Sequence, residues 1–316
     1  MPGTGLRWGI AGYGDIVRRR ALPALLARAE TVSCVWGRNP DRARALCAEF
    51  GVGRGTGDYA ELLDSADVVY VATPVASHLP LAARALRAGL PVLVEKPLGL
   101  LTGTDDREAV LGAGATVGVA YYRRLAPALA RVRELIEGRA VHSAEVAFRC
   151  AFDPAPEDPR HWRTDPAVSG GGVLADAGSH RLDLLVWLLG APERVTALLG
   201  GRFPRGAERV ARVRLAWPSG PHAELDLEWA GGRPYDRLAL AFDGGRLVLD
   251  PLDSGDIRGI VDGIAIEERL PPHPNPHAPL LADFAASVLH GSPPVCPVAE
   301  AAVVDDLIAR AYAAAA

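Results

Sequence analysis

Of the 34 basic side chains in this 316-residue chain, only one, Lys96, is a lysine. A GC-rich coding sequence favours Arg, Ala, Gly and Pro and explains the bias, but such a bias removes Lys wherever Arg will serve. A surviving lysine marks a place that needs a compact, deprotonatable ammonium rather than a planar, always-charged guanidinium. Lys96 follows the apolar run Val92-Leu93-Val94 within Glu95-Lys96-Pro97. A second cluster is Gly170-Gly171-Gly172-Val173-Leu174-Ala175-Asp176-Ala177-Gly178-Ser179-His180. Asp176 and His180 are four residues apart, which on a helix puts them on one face. An imidazole that titrates near neutral pH can move a proton, and an ammonium can hydrogen-bond an oxygen that gains alkoxide character. Together Lys96, Asp176 and His180 have the chemistry of a proton relay at an oxygen.

Near the N-terminus, Leu6-Arg7-Trp8-Gly9-Ile10-Ala11 runs into Gly12-Tyr13-Gly14-Asp15-Ile16-Val17. Gly12 allows a tight turn, and Gly14 lets the backbone approach a pyrophosphate at a helix N-terminus. The third fingerprint position is Val17, so the motif is imperfect. Its place at the head of the first βαβ unit is what makes it a dinucleotide site. NAD-preferring sites place an acid at the end of the second strand, about 20 residues beyond the glycines. Here that strand ends Val35-Trp36-Gly37-Arg38-Asn39, with no acid before Asp41. Arg38 could pair with a 2′-phosphate, which favours NADP, with NAD as the alternative. Arg18-Arg19-Arg20 reads as a solvated helix face.

These residues need a frame. Leu6–Ala11, Val32–Trp36, Ala66–Ala72, Pro91–Val94 and Ala115–Ala120 read as buried strands, with helices at Ala21–Ala29, Pro40–Phe50, Tyr59–Asp64 and Leu79–Ala88 between them. That alternation implies a parallel sheet covered on both faces. From Tyr121 onward a helix (Ala126–Glu137) leads to alternating strands at Val141–Phe152, Arg209–Trp217, His222–Trp229, Leu238–Phe242 and Arg246–Leu249. One helix interrupts them at Val173–Leu189. Pro271–Pro279 reads as a loop, and Leu280–Leu289 and Val298–Ala313 as closing helices. The fold class is α/β: residues 1–120 a dinucleotide-binding Rossmann domain, residues 121–316 an α+β domain with a large, open-faced, mainly antiparallel sheet.

Composition narrows the function classes. The net charge of −4 leaves no basic footprint for nucleic acid or anionic membrane. No apolar run reaches the roughly 18 residues of a membrane span, and no secretory signal is read. Cys34, Cys47, Cys150 and Cys296 are scattered, without metal-ligand spacing, so no metal is expected and a reducing cytoplasm fits best.

Glu95-Lys96-Pro97 with Gly170–Asp183, Gly12–Ile16, Val69–Pro74 with His78, and Asp283-Phe284…Gly291-Ser292-Pro293-Pro294 resemble the glucose–fructose oxidoreductase/inositol dehydrogenase/rhizopine catabolism (Gfo/Idh/MocA) oxidoreductases over nearly the whole chain. The resemblance implies a Lys96/Asp176/His180 active site for hydride transfer at a secondary alcohol or ketone of a sugar, cyclitol or sugar-like substrate. It also implies a cis Lys96–Pro97 bond that aims the ammonium inward, with Glu95 helping to set Lys96. Gly12, Tyr13, Gly14, Asp15, Ile16, Thr73, Pro74, His78, Glu95 and Lys96 are placed at the cofactor with Arg38, and a homo-oligomer, dimer or tetramer, is expected through the second domain's sheet. Val75 stands where the family usually has Asn, and Tyr122 where Asn is common. Tyr122 and Arg124 are expected to face substrate and Arg123 to be solvated. In Arg160-His161-Trp162-Arg163, Trp162 either stacks on a sugar face or anchors its loop, and Arg163 is a further substrate candidate. The competing reading is a cofactor-binding regulator of the same fold without catalysis, against which the intact Lys96/Asp176/His180 set argues.

Overall fold

The computed structural model of the chain describes residues 5–99, 104–218 and 220–315. It divides into two compact units, Met1–Tyr122 with His273–Ala301, and Arg123–Pro272 with Ala302–Ala316. Segment 273–301 groups with the first unit. The reason is apolar. The helix His277–His290 buries Leu280, Leu281 and Phe284, and the Phe284 ring lies 6.3 Å from that of Trp8 on the first strand. A Cβ added at Gly118 would come within 2.9 Å of Phe284, so a glycine there lets the helix seat. The reading of Pro271–Pro279 as loop is corrected at its end, since the helix begins at His277. Pro279 is tolerated because the first-turn N–H it lacks has no helical partner in any case.

The first unit is built on β1 (Arg7–Ala11), β2 (Thr31–Trp36), β3 (Arg54–Thr56), β4 (Val68–Val71), β5 (Val92–Val94) and β6 (Val117–Val119). Their order is β3-β2-β1-β4-β5-β6, all parallel. The central strands β4 and β5 are buried at every residue, as expected where helices cover both faces. Strand order reverses between β1 and β4, which opens a crevice at their carboxyl ends.

The second unit carries an eight-stranded sheet. Its strands are β7 (Val141–Cys150), β8 (Arg194–Arg202), β9 (Glu208–Ala216), β10 (His222–Trp229), β11 (Tyr235–Phe242), β12 (Gly245–Leu249), β13 (Asp256–Val261) and β14 (Ile264–Arg269). The order is β14-β13-β12-β11-β7-β10-β9-β8. Among the described residues, only the β7–β10 pair of this sheet is parallel. On β10, Ala223, Leu225, Leu227 and Trp229 face the core while Glu224 faces outward. That period of two is the pattern of a sheet with one solvated face. The inner face is covered by the helix Ser179–Leu189, which is buried from Ser179 through Val186. A continuous α-helix from Val173 is corrected: Leu174–Gly178 is a π-helical turn that runs into it. No helix among the described residues is long and apolar enough to cross a membrane.

Candidate functional site

In the first unit, β1 ends in Gly12 at φ +122°, a conformation that side chains resist. Its N–H donates to the Trp36 carbonyl at 2.8 Å, and a Cβ there would lie 2.3 Å from the Ala72 carbonyl oxygen. Gly12 thus brings the ends of β1, β2 and β4 together at the crevice. The Tyr13 ring covers Gly37, where a Cβ would sit 2.0 Å from the ring, and a Cβ at Gly14 would meet nothing within 4 Å. Asp15 and Ile16 open the following helix, whose first bond runs from the Arg18 N–H to the Gly14 carbonyl. Val17, in place of a third glycine, is fully buried and begins a π-helical turn, Val17–Ala21.

Beyond β2, Arg38 is exposed. Asn39 caps the helix Pro40–Phe50, its side-chain oxygen accepting from the N–H groups of Asp41 and Arg42. The carboxylate of Asp41 is held by Arg44 at 2.6 Å. Of the neighbouring arginines, Arg18 pairs with Glu49 and Arg20 bonds the Pro274 carbonyl.

The loop after β4 supplies Thr73, Pro74 and His78. Thr73 Oγ1 is buried and has no hydrogen-bond partner among the described residues. An orphaned hydroxyl, an open Gly14 and a left-handed Gly12 at one sheet crevice fit a dinucleotide. His78, also expected at the cofactor, packs between two backbone carbonyls. It is 1% exposed, and its ring nitrogens lie 2.8 Å from the carbonyl oxygens of Pro97 and Thr73. Burial pushes its pKa down, against the pull of those carbonyls. His78 is a strut tying the Pro97 turn to the Thr73 loop. Val75, where the family usually has Asn, is likewise buried.

Glu95 and Lys96 leave the carboxyl end of β5, and the Lys96–Pro97 bond is cis. Glu95 is buried behind Lys96. Its Oε1 accepts from the Tyr70 hydroxyl at 2.5 Å and pairs with His277 Nε2 at 3.2 Å. Its Oε2 accepts from the Lys96 backbone N–H at 3.3 Å. Burial alone would push this carboxyl up, but the His277 and Tyr70 hydrogen bonds and the Lys96 charge hold it below the ordinary value. Glu95, expected both at the cofactor and in helping to set Lys96, thus bonds the Lys96 backbone N–H, and Lys96 itself is half-buried.

In the second unit, the glycine run is pinned by Glu208 at the start of β9. Its carboxylate accepts from the Gly172 N–H at 2.8 Å, the Leu174 N–H at 2.9 Å and the Tyr312 hydroxyl at 3.0 Å. The fit leaves no room for side chains: a Cβ at Gly172 would lie 2.0 Å from the Glu208 carbonyl oxygen. This clamp launches the π-turn, with the Asp176 N–H bonded to the Gly172 carbonyl at 3.0 Å. The wider turn keeps Asp176 and His180 within one turn of each other. His180 is buried, whereas the Asp176 side chain is 26% exposed and lies 3.4 Å from Arg163 Nη1. The Arg163 guanidinium sits 5.4 Å from the Trp162 ring centre. Trp162, Arg163 and Asp176 therefore form one group, and Trp162 is half-buried beneath the arginine.

Arg124, expected to face substrate, has its side chain wholly buried in a two-pronged pair with Asp183, 2.6 Å at its shortest. Arg123, expected in solvent, is buried against Asp236 and Asp253. The Tyr122 ring lies against that of His277, tilted by 39° with ring centres 5.3 Å apart. His277, Glu208 and Tyr312 were not singled out from sequence. His277 lies in a Pro-rich stretch, and Glu208 is out of phase with the alternation of β9, so neither had a local signal.

Residues 6–121 match the family described as oxidoreductases with an NAD-binding Rossmann fold, and residues 129–248 match the GFO/IDH/MocA C-terminal domain. The chain is 37% identical over 229 residues to a dTDP-3,4-didehydro-2,6-dideoxy-alpha-D-glucose 3-reductase of Streptomyces violaceoruber, covering 70% of this chain and 66% of that protein. It is 34% identical over 257 residues to the enzyme of the same name from Streptomyces antibioticus, covering 79% and 77%. The chain thus spans about two thirds of the first relative and three quarters of the second. Among solved structures, KijD10, a 3-ketoreductase from Actinomadura kijaniata in complex with NADP and TDP-benzene, superposes with a TM-score of 0.84 at 25% identity, covering 98% of each chain.

Proposed function

The chain belongs to the Gfo/Idh/MocA oxidoreductases, and on that premise we propose that it transfers a hydride between nicotinamide C4 and a secondary alcohol or ketone of a sugar-like substrate. The observation that carries this reading lies in the first unit, where Gly12, Thr73 and Lys96 emerge at the carboxyl ends of β1, β4 and β5, on the crevice side of the switch point. Gly12, Tyr13, Gly14, Asp15, Ile16, Thr73 and Pro74 would hold the dinucleotide. Arg38, exposed where an NAD site has an acid, would meet a 2′-phosphate, and this supports NADP over NAD.

His180 acts as the general acid/base: it takes the proton from a hydroxyl being oxidised and returns it to a ketone being reduced. Lys96 donates a hydrogen bond to the same oxygen and stabilises its alkoxide character. Asp176, held by Arg163, orients a substrate hydroxyl or the His180 imidazole, and the neighbouring Trp162 offers a face for a sugar ring. The two keto-sugar reductases among the relatives support a ketosugar, and reduction as the working direction. The cytoplasm as compartment, and assembly as a dimer or tetramer through the open face of the β7–β14 sheet, belong to the same proposal. A regulator that binds the cofactor without turnover is the competing reading. Purified protein assayed with NADPH and NADH against nucleotide-linked and free ketosugars, and with the oxidised cofactors against the parent alcohols, decides between them. Turnover is expected; tight cofactor binding with no turnover on any of these would support the regulator.

A further inference from the structure

His277 stands outside every motif that carries the family resemblance, yet it reaches the residue beside the only lysine. Its Nε2 lies 3.2 Å from Glu95 Oε1, the oxygen that also accepts from the Tyr70 hydroxyl. The other oxygen, Oε2, accepts from the backbone N–H of Lys96. The His277 side chain is 3% exposed and that of Glu95 10%. His277 Nδ1 is buried and has no partner among the described residues, which assigns the proton to Nε2, facing the carboxylate. The ring is held on one side by Tyr122. Its own backbone N–H donates to the Asn275 side chain at 3.1 Å, whose amide group in turn donates to the Arg20 carbonyl at 2.9 Å. A buried carboxylate with two side-chain donors on one oxygen has few alternative orientations, and the oxygen left over is the one that meets Lys96.

We infer that His277 is a positioning residue for Lys96: by fixing the Glu95 carboxylate from the far end of the chain, it sets the backbone at Lys96 and hence where the ammonium points. The inference rests on the proposed role of Lys96 for its kinetic consequence only, because its structural half can be read without substrate.

Since Lys96 is the only lysine, labelling with ¹⁵N-lysine gives a protein with a single labelled backbone amide. His277→Phe keeps a ring against Tyr122 but removes the donor, whereas His277→Gln restores an N–H near the Nε2 position. The amide proton of Lys96 is expected to shift in H277F and to return toward the wild-type position in H277Q. In steady-state assays H277F should lower kcat by about 10-fold, with the KM values for cofactor and substrate within about 2-fold, and H277Q should recover most of the loss. An unchanged Lys96 amide in folded H277F, or H277Q impaired as fully as H277F, overturns the inference. Should H277F fail to fold, Tyr70→Phe removes the other donor to the same oxygen and should displace the same resonance; an unmoved resonance there is equally fatal. If wild-type protein turns over none of the substrates, the proposed function fails while the amide shift still decides the role of His277.

Discussion

At the scale of single residues, the lone lysine was legible because codon bias had cleared the background around it. Glu95 beside it was read as helping to set it, but Tyr70 and His277 were not: they are brought to Glu95 only by the parallel sheet and the returning helix, and no spacing in the chain announces them. Arg124 was picked out by its neighbourhood in the chain, and its buried pair with Asp183 was not visible there. Two predictions belong here. His180→Ala should reduce kcat by about 10²- to 10⁴-fold, the usual worth of a positioned acid/base, with cofactor affinity preserved in a fluorescence titration. Arg38→Ala should weaken NADP binding by about 10- to 100-fold, the loss of one charge-assisted contact, while NAD affinity stays within about 2-fold. Equal losses for both cofactors would remove Arg38 from the 2′-phosphate site.

At the scale of elements, the buried strands of the Rossmann unit were readable because each is a short Val-rich run with both faces covered. The strands that escaped notice, β3, β8, β13 and β14, lie at or near the sheet edges. Leu198 on β8 is 72% exposed and Ile264 on β14 is 68% exposed, so burial imposes little alternation there. The π-turn at Leu174–Gly178 was hidden for another reason: an inserted residue leaves the apolar composition of a helix intact. The clamp that launches it makes a firm prediction. Gly172→Ala drives a methyl into the Glu208 backbone, which cannot swing away as a side-chain tip could. It should cost about 1–3 kcal/mol of stability in denaturant unfolding and displace Asp176. Wild-type stability in G172A would mean that the glycine run is not held as described.

For the whole molecule, residues 273–301 group with the first unit, which no spacing along the chain announces. That return places His277 beside Glu95, so a helix distant in sequence packs against the residue before Lys96. Cofactor should therefore stabilise the first unit by mass action, by about 2.7 kcal/mol at 100 times Kd, with NADPH raising the melting temperature more than NADH at equal concentration. Acid should act in the opposite sense. Glu95 is held below its ordinary pKa of 4.5 in the folded chain, so the unfolded chain binds the proton first. Its stabilising contribution is present above about pH 4.5 and is lost as pH falls further, through the folded value. A melting temperature that rose on acidification through that range in wild type but not in Glu95→Gln would contradict the assignment.

The most direct test is Lys96→Arg, a change that keeps the positive charge and matches every other basic residue in the chain. With NADPH and a ketosugar that the wild type reduces, kcat should fall by about 10²- to 10³-fold, the worth of one donor at a developing oxyanion, while NADPH still binds. Turnover by the Lys96→Arg protein equal to that of the wild type would contradict the account at its centre.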